Sequence, residues 1–344
     1  VIKQSEIPRN KKWVSLFFAG VEDVVKRLEE LAEEGEIMIK AKEWFEPSRG
    51  NSVWSIWALS NRRRPDLGAR EFFYFNEEKK ATWNIPDECL APAITRSQWV
   101  KTFAFKVEDW DELRRAGRDV YLFMCHRPLD ELQQEVRKYV EWGESDECRT
   151  RIRGTRGGGR RCSEAEACRA RREARGIFYG WYDLGGYIPT PMMAIYQSGY
   201  KPRFFLTYPH VVTYHAIITF IPKVRITYPF DFDPRAIIKG YPALRDLTKE
   251  IKPDIVLDEV EVKALMAYLN STFNWLWLEQ IGRRTGGGIL ALEVNIAREM
   301  PILNVKKIDE NYKQRLAMLF DKLEESARKL IDPPNDEGEE GEED

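Results

Sequence analysis

The spacing of apolar residues predicts helices towards both ends of the chain. In residues 21–34 the apolar positions recur three or four residues apart with charged residues between them, and Gly35 follows. This pattern is typical of an amphipathic helix that ends at a glycine. The same periodicity predicts helices over residues 108–116, 129–142, 260–280 and 308–330. Asp258 and Glu261 have the spacing of a capping box at the start of the 260–280 helix.

Short apolar or alternating runs predict strands through the middle of the chain. They lie at residues 37–40, 53–59, 71–75, 99–105, 120–124, 178–181, 194–196, 203–207, 211–221 and 223–227. The run 53–59 is apolar on both faces, which is typical of a buried strand. The sequence therefore predicts an α+β protein, with a mixed, β-rich region over residues 1–257 and a helical region over residues 258–331.

Composition excludes a disordered chain and a membrane-spanning one. Of the 344 residues 43% are hydrophobic, which suffices for a core in one large domain or two ordinary ones. The longest apolar run, residues 211–222, is interrupted by Thr213, His215 and Thr219, so it is too short to cross a bilayer and no membrane partner is expected. No signal segment is visible, which predicts a cytoplasmic protein. The chain begins with Val1 rather than Met, so we expect a fragment of a longer protein or an alternative start codon.

The five cysteines are predicted to be free thiols. Their spacing fits neither a disulfide framework nor a zinc site, and no metal is expected. They are Cys89, Cys125, Cys148, Cys162 and Cys168.

The formal net charge of −2 conceals a basic body. Residues 332–344 contain eight acidic residues and no Lys or Arg, so without them the net charge changes from −2 to +6. We expect this acidic tail to be disordered and solvated. The basic body favours an anionic partner.

Arginine is concentrated in three places. Basic and aromatic residues interleave near the N-terminus, where the candidates for nucleic-acid contact are Arg49, Asn51, Arg62, Arg63 and Arg64. Arg and Asn are the side chains best shaped to read guanine and adenine edges. Residues 148–175 contain ten Arg and three successive Gly, and the first half has no hydrophobic periodicity, which predicts a flexible basic insertion that carries no core. Its candidates are Arg151, Arg153, Arg156, Arg160 and Arg161. Its second half, residues 163–175, fits a short exposed helix capped by Ser163.

The third cluster is Arg283, Arg284, Thr285, Gly286 and Gly287, between two predicted helices. Guanidinium groups and bare backbone N–H groups both suit phosphate, but a plain linker between helices is an equal alternative. The glycines are not followed by the Lys of a P-loop, and no predicted strand precedes them, which excludes a dinucleotide fingerprint. With three His and no G-x-S-x-G elbow, a hydrolase triad is not expected.

Several segments together resemble the C-terminal, target-recognising half of adenine-specific DNA methyltransferases of restriction–modification systems. In order, these segments are Ser48-Arg49-Gly50-Asn51 with Glu71-Phe72-Phe73, Ile85-Pro86, Leu90-Ala91-Pro92, Arg96-Ser97, Trp181-Tyr182-Asp183-Leu184, residues 264–271 ending in Leu269-Asn270-Ser271, Gly282-Arg283, Gly286-Gly287-Gly288-Ile289 and Met300-Pro301-Ile302. The resemblance covers residues 37–303 and adds Arg96 to the candidate DNA contacts.

The resemblance implies sequence-specific recognition of double-stranded DNA for a partner domain that methylates the N6 of adenine. In that family a catalytic domain binds S-adenosylmethionine and carries an Asn/Asp-Pro-Pro-aromatic motif. The nearest match here is Asp332-Pro333-Pro334-Asn335, which lacks the aromatic residue. We therefore expect no catalytic or cofactor-binding residue in this chain, and we expect the catalytic domain on a longer chain or a separate subunit. Whether this chain is an enzyme is left open.

Three other functions fit the same residues. An RNA-binding or RNA-modifying subunit would use basic and aromatic residues on unpaired bases. A complete methyltransferase with unrecognised motifs would bind the cofactor by itself. A protein scaffold would show no salt-sensitive binding of nucleic acid.

The charge of the tail predicts weak autoinhibition of DNA binding. A chain that ends at Ile331 should bind a DNA duplex a few-fold more tightly than the full chain at low salt, because eight carboxylates no longer compete with phosphate. Fluorescence anisotropy with a labelled duplex measures the difference, and equal affinities would contradict the prediction.

Overall fold

Short strands and helices alternate along the chain, which gives a mixed α+β fold. The computed structural model describes residues 20–50, 69–150, 159–165, 168, 178–185, 188–199, 202–238, 247–285 and 288–331. Within these ranges the helices are α1 (Val21–Glu34), α2 (Arg70–Phe73), α3 (Glu77–Trp83), α4 (Val107–Arg115), α5 (Gln134–Glu144), α6 (Pro234–Ile238), α7 (Glu259–Leu269), α8 (Thr272–Ile281), α9 (Val294–Glu299) and α10 (Glu310–Lys329). The strands are β1 (Met38–Lys40), β2 (Phe45–Arg49), β3 (Tyr74–Phe75), β4 (Leu90–Ile94), β5 (Ala104–Phe105), β6 (Tyr121–Phe123), β7 (Met192–Ile195), β8 (Gln197–Ser198), β9 (Phe204–Thr207), β10 (Val212–Thr213), β11 (Ile217–Pro222), β12 (Val224–Ile226), β13 (Lys252–Leu257), β14 (Arg283–Arg284), β15 (Leu290–Ala291) and β16 (Pro301–Leu303).

Two sheets organise these elements. The larger has the order β2-β11-β7-β9-β5, in which only the β9–β5 pair is parallel. The smaller has the order β10-β4-β6-β3, in which only the β10–β4 pair is parallel. Three smaller sheets complete the pairing. Strand β1 pairs with β16, β12 pairs with β13, and β15 lies between β14 and β8.

Each sheet has its own hydrophobic core, and a third cluster joins them. The larger sheet packs with α1, α7 and α8, whose buried side chains include Trp277. The core of the smaller sheet is aromatic, with the ring of Phe72 lying 4.7 Å from Tyr139 and 4.5 Å from Trp181. Residues of both sheets meet in the third cluster, which contains Ile94 from β4 and Phe205 from β9. Because such clusters pack tightly, the two sheets hold their edges in a fixed relation.

Local signals located several elements correctly. Helix α1 spans the predicted residues and ends at Gly35, which has a φ of 73° and donates its N–H to the carbonyl of Leu31. The capping box is present, with Glu261 N 3.0 Å from Asp258 Oδ1 and Asp258 N 3.2 Å from Glu261 Oε2. Helices α4 and α10 match their predictions within two residues.

The predicted helix over 260–280 is wrong, because Asn270 and Ser271 divide it into α7 and α8. The Asn270 side chain forms 3.0 Å hydrogen bonds to both the N–H and the carbonyl of Phe204. Ser271 caps α8 by accepting from Asn274 N. The break therefore docks the helical region on β9.

Several predicted strands are shorter or differently placed. Residues 71–73 of the predicted 71–75 strand belong to the helical turn α2, and 99–105 pairs only at β5. The predicted 178–181 strand is a turn, and the 211–221 run divides into β10 and β11. The 71–75, 99–105 and 211–221 runs are largely buried by tertiary packing, which periodicity alone cannot distinguish from strand pairing. In the 178–181 turn Trp181 is buried, whereas Tyr179 is exposed. The 53–59 run lies outside the described residues.

Described parts of the arginine-rich segment belong to the core of the smaller sheet, contrary to the prediction. Cys148 and Cys162 form a disulfide bond, so these two cysteines are not free thiols. Both are fully buried with Cys168 against the smaller sheet. Thr150 N donates to the carbonyl of Arg160 over 2.8 Å. The backbones of Arg149 and Arg161 form an isolated antiparallel β-bridge. Residues 148–150 and 159–162 thus form a closed neck.

Two antiparallel strands, β14 and β15, flank the glycine-rich loop. Strand β14 precedes it, which corrects the expectation that no strand does. Strand β15 pairs on its other side with β8.

No helix in the described part of the chain is long and apolar enough to cross a membrane.

Lys79 is a partly buried cation at the edge of the core of the smaller sheet. Its ammonium group donates to the carbonyls of Glu71, Phe72 and Tyr74, and lies 4.3 Å from the centre of the Phe75 ring. Burial lowers the pKa of Lys79 to about 8. The neutral form is thus favoured at a lower pH in the folded chain than in the unfolded chain.

This lowered pKa makes stability depend on pH. Above about pH 8 folded Lys79 loses its proton while the unfolded residue keeps it to about pH 10.5, so the free energy of unfolding should rise across this window. The full shift would give more than about 3 kcal/mol, which we reduce to about 2 kcal/mol for partial exposure. Urea unfolding at pH 7.5 and pH 10 should show this gain relative to Lys79→Met. Lys138→Met, at an exposed site on α5, is the control, and a gain equal in all three proteins would contradict the prediction.

Candidate nucleic-acid interface

Arg49 is held in place at the last position of β2. Its guanidinium carbon lies 3.8 Å from the centre of the Tyr196 ring, and its Nε donates to the carbonyl of His215 over 3.1 Å. A guanidinium over an aromatic face is attracted by the ring and keeps its remaining N–H groups available. Pairing of β2 with β11 and of β11 with β7 makes this contact possible, since Tyr196 directly follows β7.

The same tyrosine joins Arg49 to the third arginine cluster. The hydroxyl of Tyr196 lies 3.0 Å from Glu293 Oε1 and accepts from Arg283 Nη2 at 3.4 Å. Arg283 Nε also donates to Glu293 over 2.6 Å. Two arginines that are distant in the sequence thus lie on the face and the hydroxyl edge of one ring.

Hairpin β14–β15 fixes the direction of Arg283 and Arg284. Thr285 N donates to the carbonyl of Ile289 over 2.9 Å and closes the hairpin. Arg284 pairs with Glu279, and both arginine side chains are about half exposed. Gly286 and Gly287 lie outside the described residues.

Arg70 and Arg96 line a neighbouring cleft of about 360 Å³ between α2, α3 and the end of β4. Arg70 lies over the ring of Tyr74 at 5.1 Å. Arg96 precedes Ser97, whose N–H donates to the hydroxyl of Tyr214 over 2.8 Å. Among the described residues Arg96 forms no salt bridge.

Gly50 permits the close approach that connects the cleft with Arg49. Its φ is +43°, and a Cβ atom there would lie 2.4 Å from the carbonyl oxygen of Tyr214 and 2.6 Å from that of Thr213. Only glycine fits such a position without displacing backbone. The end of β2 therefore lies directly on the 213–215 segment, whose Tyr214 bonds to Ser97.

His215 is a buried histidine close to Arg49 and Arg70. Burial, followed by the positive charges of these two arginines, lowers the pKa of His215 to about 4. The ring is therefore neutral near pH 7. We call the surface formed by Arg49, Arg70, Arg96 and Arg283 the arginine strip. Arg284, the next residue along β14, faces the opposite side of that strand.

The structure places the other predicted residues differently. Arg161 lies in the neck, where it shares Asp146 with Arg149 at 3.0 and 2.9 Å. Arg160 also lies in the neck, where its carbonyl accepts the hydrogen bond from Thr150 N. The predicted contacts outside the described residues are Asn51, Arg62, Arg63, Arg64, Arg151, Arg153 and Arg156.

Sequence analysis missed Tyr196, Tyr214 and Glu293. Each is an ordinary residue by composition, and its position depends on strand pairing between distant segments. Arg70 was not among the predicted contacts either. In the described ranges no group of three or more His, Cys, Asp or Glu side chains is arranged to hold a metal ion.

Comparisons with known proteins relate the chain to restriction–modification enzymes. Residues 67–155 match the family model for the C-terminal domain of the type II methyltransferase M.Eco57I. Over 85 residues the chain is 32% identical to the type II methyltransferase M.AccI of Acinetobacter calcoaceticus. These aligned residues make up 25% of this chain and 15% of that protein. Residues 67–155 are therefore similar to part of the C-terminal domain of type II methyltransferases. Arg70 and Arg96 lie inside the matched segment, whereas Arg49, Tyr196 and Arg283 lie outside it.

A solved structure is also similar over much of the chain. The type IIG restriction endonuclease BpuSI aligns with 88% of this chain and 28% of its own, with a TM-score of 0.44 and 13% sequence identity. The matched part thus spans well under two thirds of either relative's length.

Gly50→Ala should destabilise the protein strongly. The new methyl group meets two carbonyl oxygens and the residue keeps a positive φ, so we expect the free energy of unfolding to fall by about 2–4 kcal/mol. Gly35→Ala is the matched control, because its φ is +73° with no atom within 4 Å, and it should cost only about 1 kcal/mol. Urea denaturation measures both, and equal losses would show that Gly50 does not lie against the 213–215 backbone.

Proposed function

We propose that this chain recognises the DNA target of a restriction–modification methyltransferase and binds double-stranded DNA through the arginine strip. The observation that carries the proposal is the convergence of Arg49 and Arg283 on Tyr196. A single aromatic ring that orients two guanidinium groups creates a directional cationic surface, which a solvated charge cluster would not provide. The relation to type II methyltransferases supports the same assignment.

Arg49 is the best candidate for reading a base. Its Nε is used by the His215 carbonyl, which leaves the two terminal nitrogens as a fork. A guanidinium fork matches the O6 and N7 acceptors of guanine in the major groove. Stacking on Tyr196 restricts the rotamers of Arg49, so less conformational entropy is lost on binding.

The remaining arginines of the strip are suited to phosphate. Arg283 pairs with Glu293 at the surface, where such an ion pair contributes little stability. A phosphodiester could therefore replace the carboxylate at small cost and accept charge-assisted hydrogen bonds. Arg70 and Arg96 would contact the backbone farther along the same duplex.

The methyl transfer itself is assigned to a catalytic domain outside this chain. That domain would bind S-adenosylmethionine, extract the target adenine from the stack and methylate its N6, while this chain sets the register on DNA in the cytoplasm. No residue of this chain is assigned to the cofactor.

Duplex binding by the full chain should weaken steeply with salt. The logarithm of the binding constant should fall linearly with the logarithm of salt concentration, with a slope reduced by about one for each phosphate contact removed. Arg96→Gln should reduce this slope by about one.

Arg49→Gln should weaken binding to the preferred sequence by roughly tenfold or more and relax the preference at one base pair.

Arg27→Gln is the control, because Arg27 is an exposed arginine on α1 that pairs with Glu34. It should leave both affinity and slope unchanged. Absence of salt-sensitive duplex binding would contradict the proposal. A clear preference for single-stranded RNA would favour the RNA-binding alternative instead.

A further inference from the structure

Helix α10 carries two stripes of residues side by side, and only the first is covered. The first includes Ala317 and Phe320, which are buried where α10 packs on α7. The second follows positions that are alternately four and three residues apart, which is the spacing of a coiled-coil seam. We call it the α10 stripe, and its members, apolar except for one serine, are Tyr312, Leu316, Leu319, Leu323, Ser326 and Leu330. Successive members are neighbours on one face of the helix, over a length of about 27 Å.

Most of the α10 stripe is exposed. Tyr312 is 61% exposed, Leu319 56% and Leu330, the C-cap residue, 82%. Leu316 and Leu323 are half-buried. Exposed apolar residues that are scattered singly are normal, but a row of them along one helix face indicates a contact site. The coiled-coil spacing indicates that the contact is made with another helix.

Positive charge borders the α10 stripe on the side away from the buried stripe. Three exposed basic residues lie there at seven-residue intervals, and they are Arg315, Lys322 and Lys329. Lys329 pairs with Glu325 on the same helix. Arg315 and Lys322 form no salt bridge with any residue that the structure describes. In a coiled coil such flanking positions face charged residues of the partner helix, so a basic row selects an acidic partner.

These charges argue against a second copy of this chain on the α10 stripe. In an antiparallel pair of α10 helices the two basic rows would run along the same side of the seam, where like charges repel. A parallel pair would need the opposite flank, which is already buried against α7 at Phe320. The acidic residues 332–344 match the charge but include no large apolar side chain to cover Leu319. A helix with acidic residues beside its own apolar stripe satisfies both requirements.

We propose that the α10 stripe is a docking surface for an acidic amphipathic helix of another protein. The apolar side chains of that helix pack on Leu316, Leu319 and Leu323, and its carboxylates pair with Arg315 and Lys322. Burial of apolar surface supplies the affinity, and the charges select the partner and its direction. A bilayer surface would require a broader apolar face than a coiled-coil seam. The inference goes beyond the proposed function and does not require DNA binding, because α10 contains no residue of the arginine strip.

The test titrates the full chain into a labelled synthetic peptide of three heptads, with leucine at the seam positions and glutamate at the flanking positions. The glutamates also disfavour pairing of the peptide with itself. A second peptide with lysine in place of glutamate is the matched control. We expect fluorescence anisotropy to show binding of the acidic peptide that weakens with added salt, and at least about tenfold weaker binding of the lysine peptide.

Two neighbouring residues of α10 test the apolar contact. Leu319→Gln removes a member of the stripe, whereas Met318→Gln changes an equally exposed residue, at 55%, that lies beyond the basic row. We expect Leu319→Gln to weaken binding of the acidic peptide about tenfold and Met318→Gln to leave it unchanged, with unaltered melting temperatures. Lys322→Glu should weaken binding of the acidic peptide and strengthen that of the lysine peptide, whereas Lys138→Glu, at an exposed site on α5, should change neither.

Several results would overturn the inference. Absence of binding by the acidic peptide, equal binding of both peptides, or equal losses in Leu319→Gln and Met318→Gln would show that the stripe does not select an acidic helix. A chain that sediments as a dimer, and as a monomer after Leu319→Gln, would assign the stripe to a second copy. Binding to vesicles of phosphatidylcholine and phosphatidylserine that Leu319→Gln abolishes would assign it to a membrane surface. Duplex DNA is absent from all these measurements, so failure of the proposed function would not alter their outcome.

Discussion

The antiparallel register between β2 and β11 is the constraint on which the arginine strip depends. Five consecutive pairs, from Ile218 opposite Arg49 to Pro222 opposite Phe45, fix where β2 ends. Side chains alternate between faces along a strand, so a slip of one residue would move Arg49 to the opposite face and away from Tyr196. The close contact of Gly50 with the Tyr214 carbonyl resists such a slip. Backbone pairing between distant segments thereby fixes the position of one guanidinium group.

From that register the remainder of the interface follows by direct contact. Tyr196 binds Arg49 with its face and Arg283 with its hydroxyl, and Glu293 holds both Tyr196 and Arg283. On the other side, Gly50 lies against the segment whose Tyr214 bonds to Ser97, next to Arg96. The hydrophobic cluster between the two sheets keeps these contacts in one frame. The strip is therefore a preorganised surface, which would lower the entropic cost of binding a rigid duplex.

Sequence alone predicted what depends on nearby residues. Helix α1 with its terminal Gly35 and the Asp258–Glu261 capping box are encoded within a few positions, so periodicity and spacing suffice. The division of residues 260–280 into two helices was missed because Asn270 bonds to Phe204, a partner far away in sequence. The neck and the β14–β15 pair join residues near each other in sequence, but the neck packs on the smaller sheet and β15 also pairs with β8, and neither distant partner is visible in the sequence pattern. For the site, composition indicated Arg49 and Arg283 and the family resemblance indicated Arg96, but Tyr196 and Glu293 acquire their role only through strand pairing.

The central claim is that Arg49 and Arg283 act as one surface through Tyr196, and a double-mutant cycle tests it directly. Duplex affinity is measured for the unaltered chain, Arg49→Gln, Arg283→Gln and the double variant at one salt concentration. Residues that share a partner usually couple by at least about 0.5 kcal/mol, and independent sites add within about 0.3–0.5 kcal/mol. We expect coupling above that limit, which Tyr196→Leu should abolish. Additive losses, unchanged in the Tyr196→Leu background, would contradict the account.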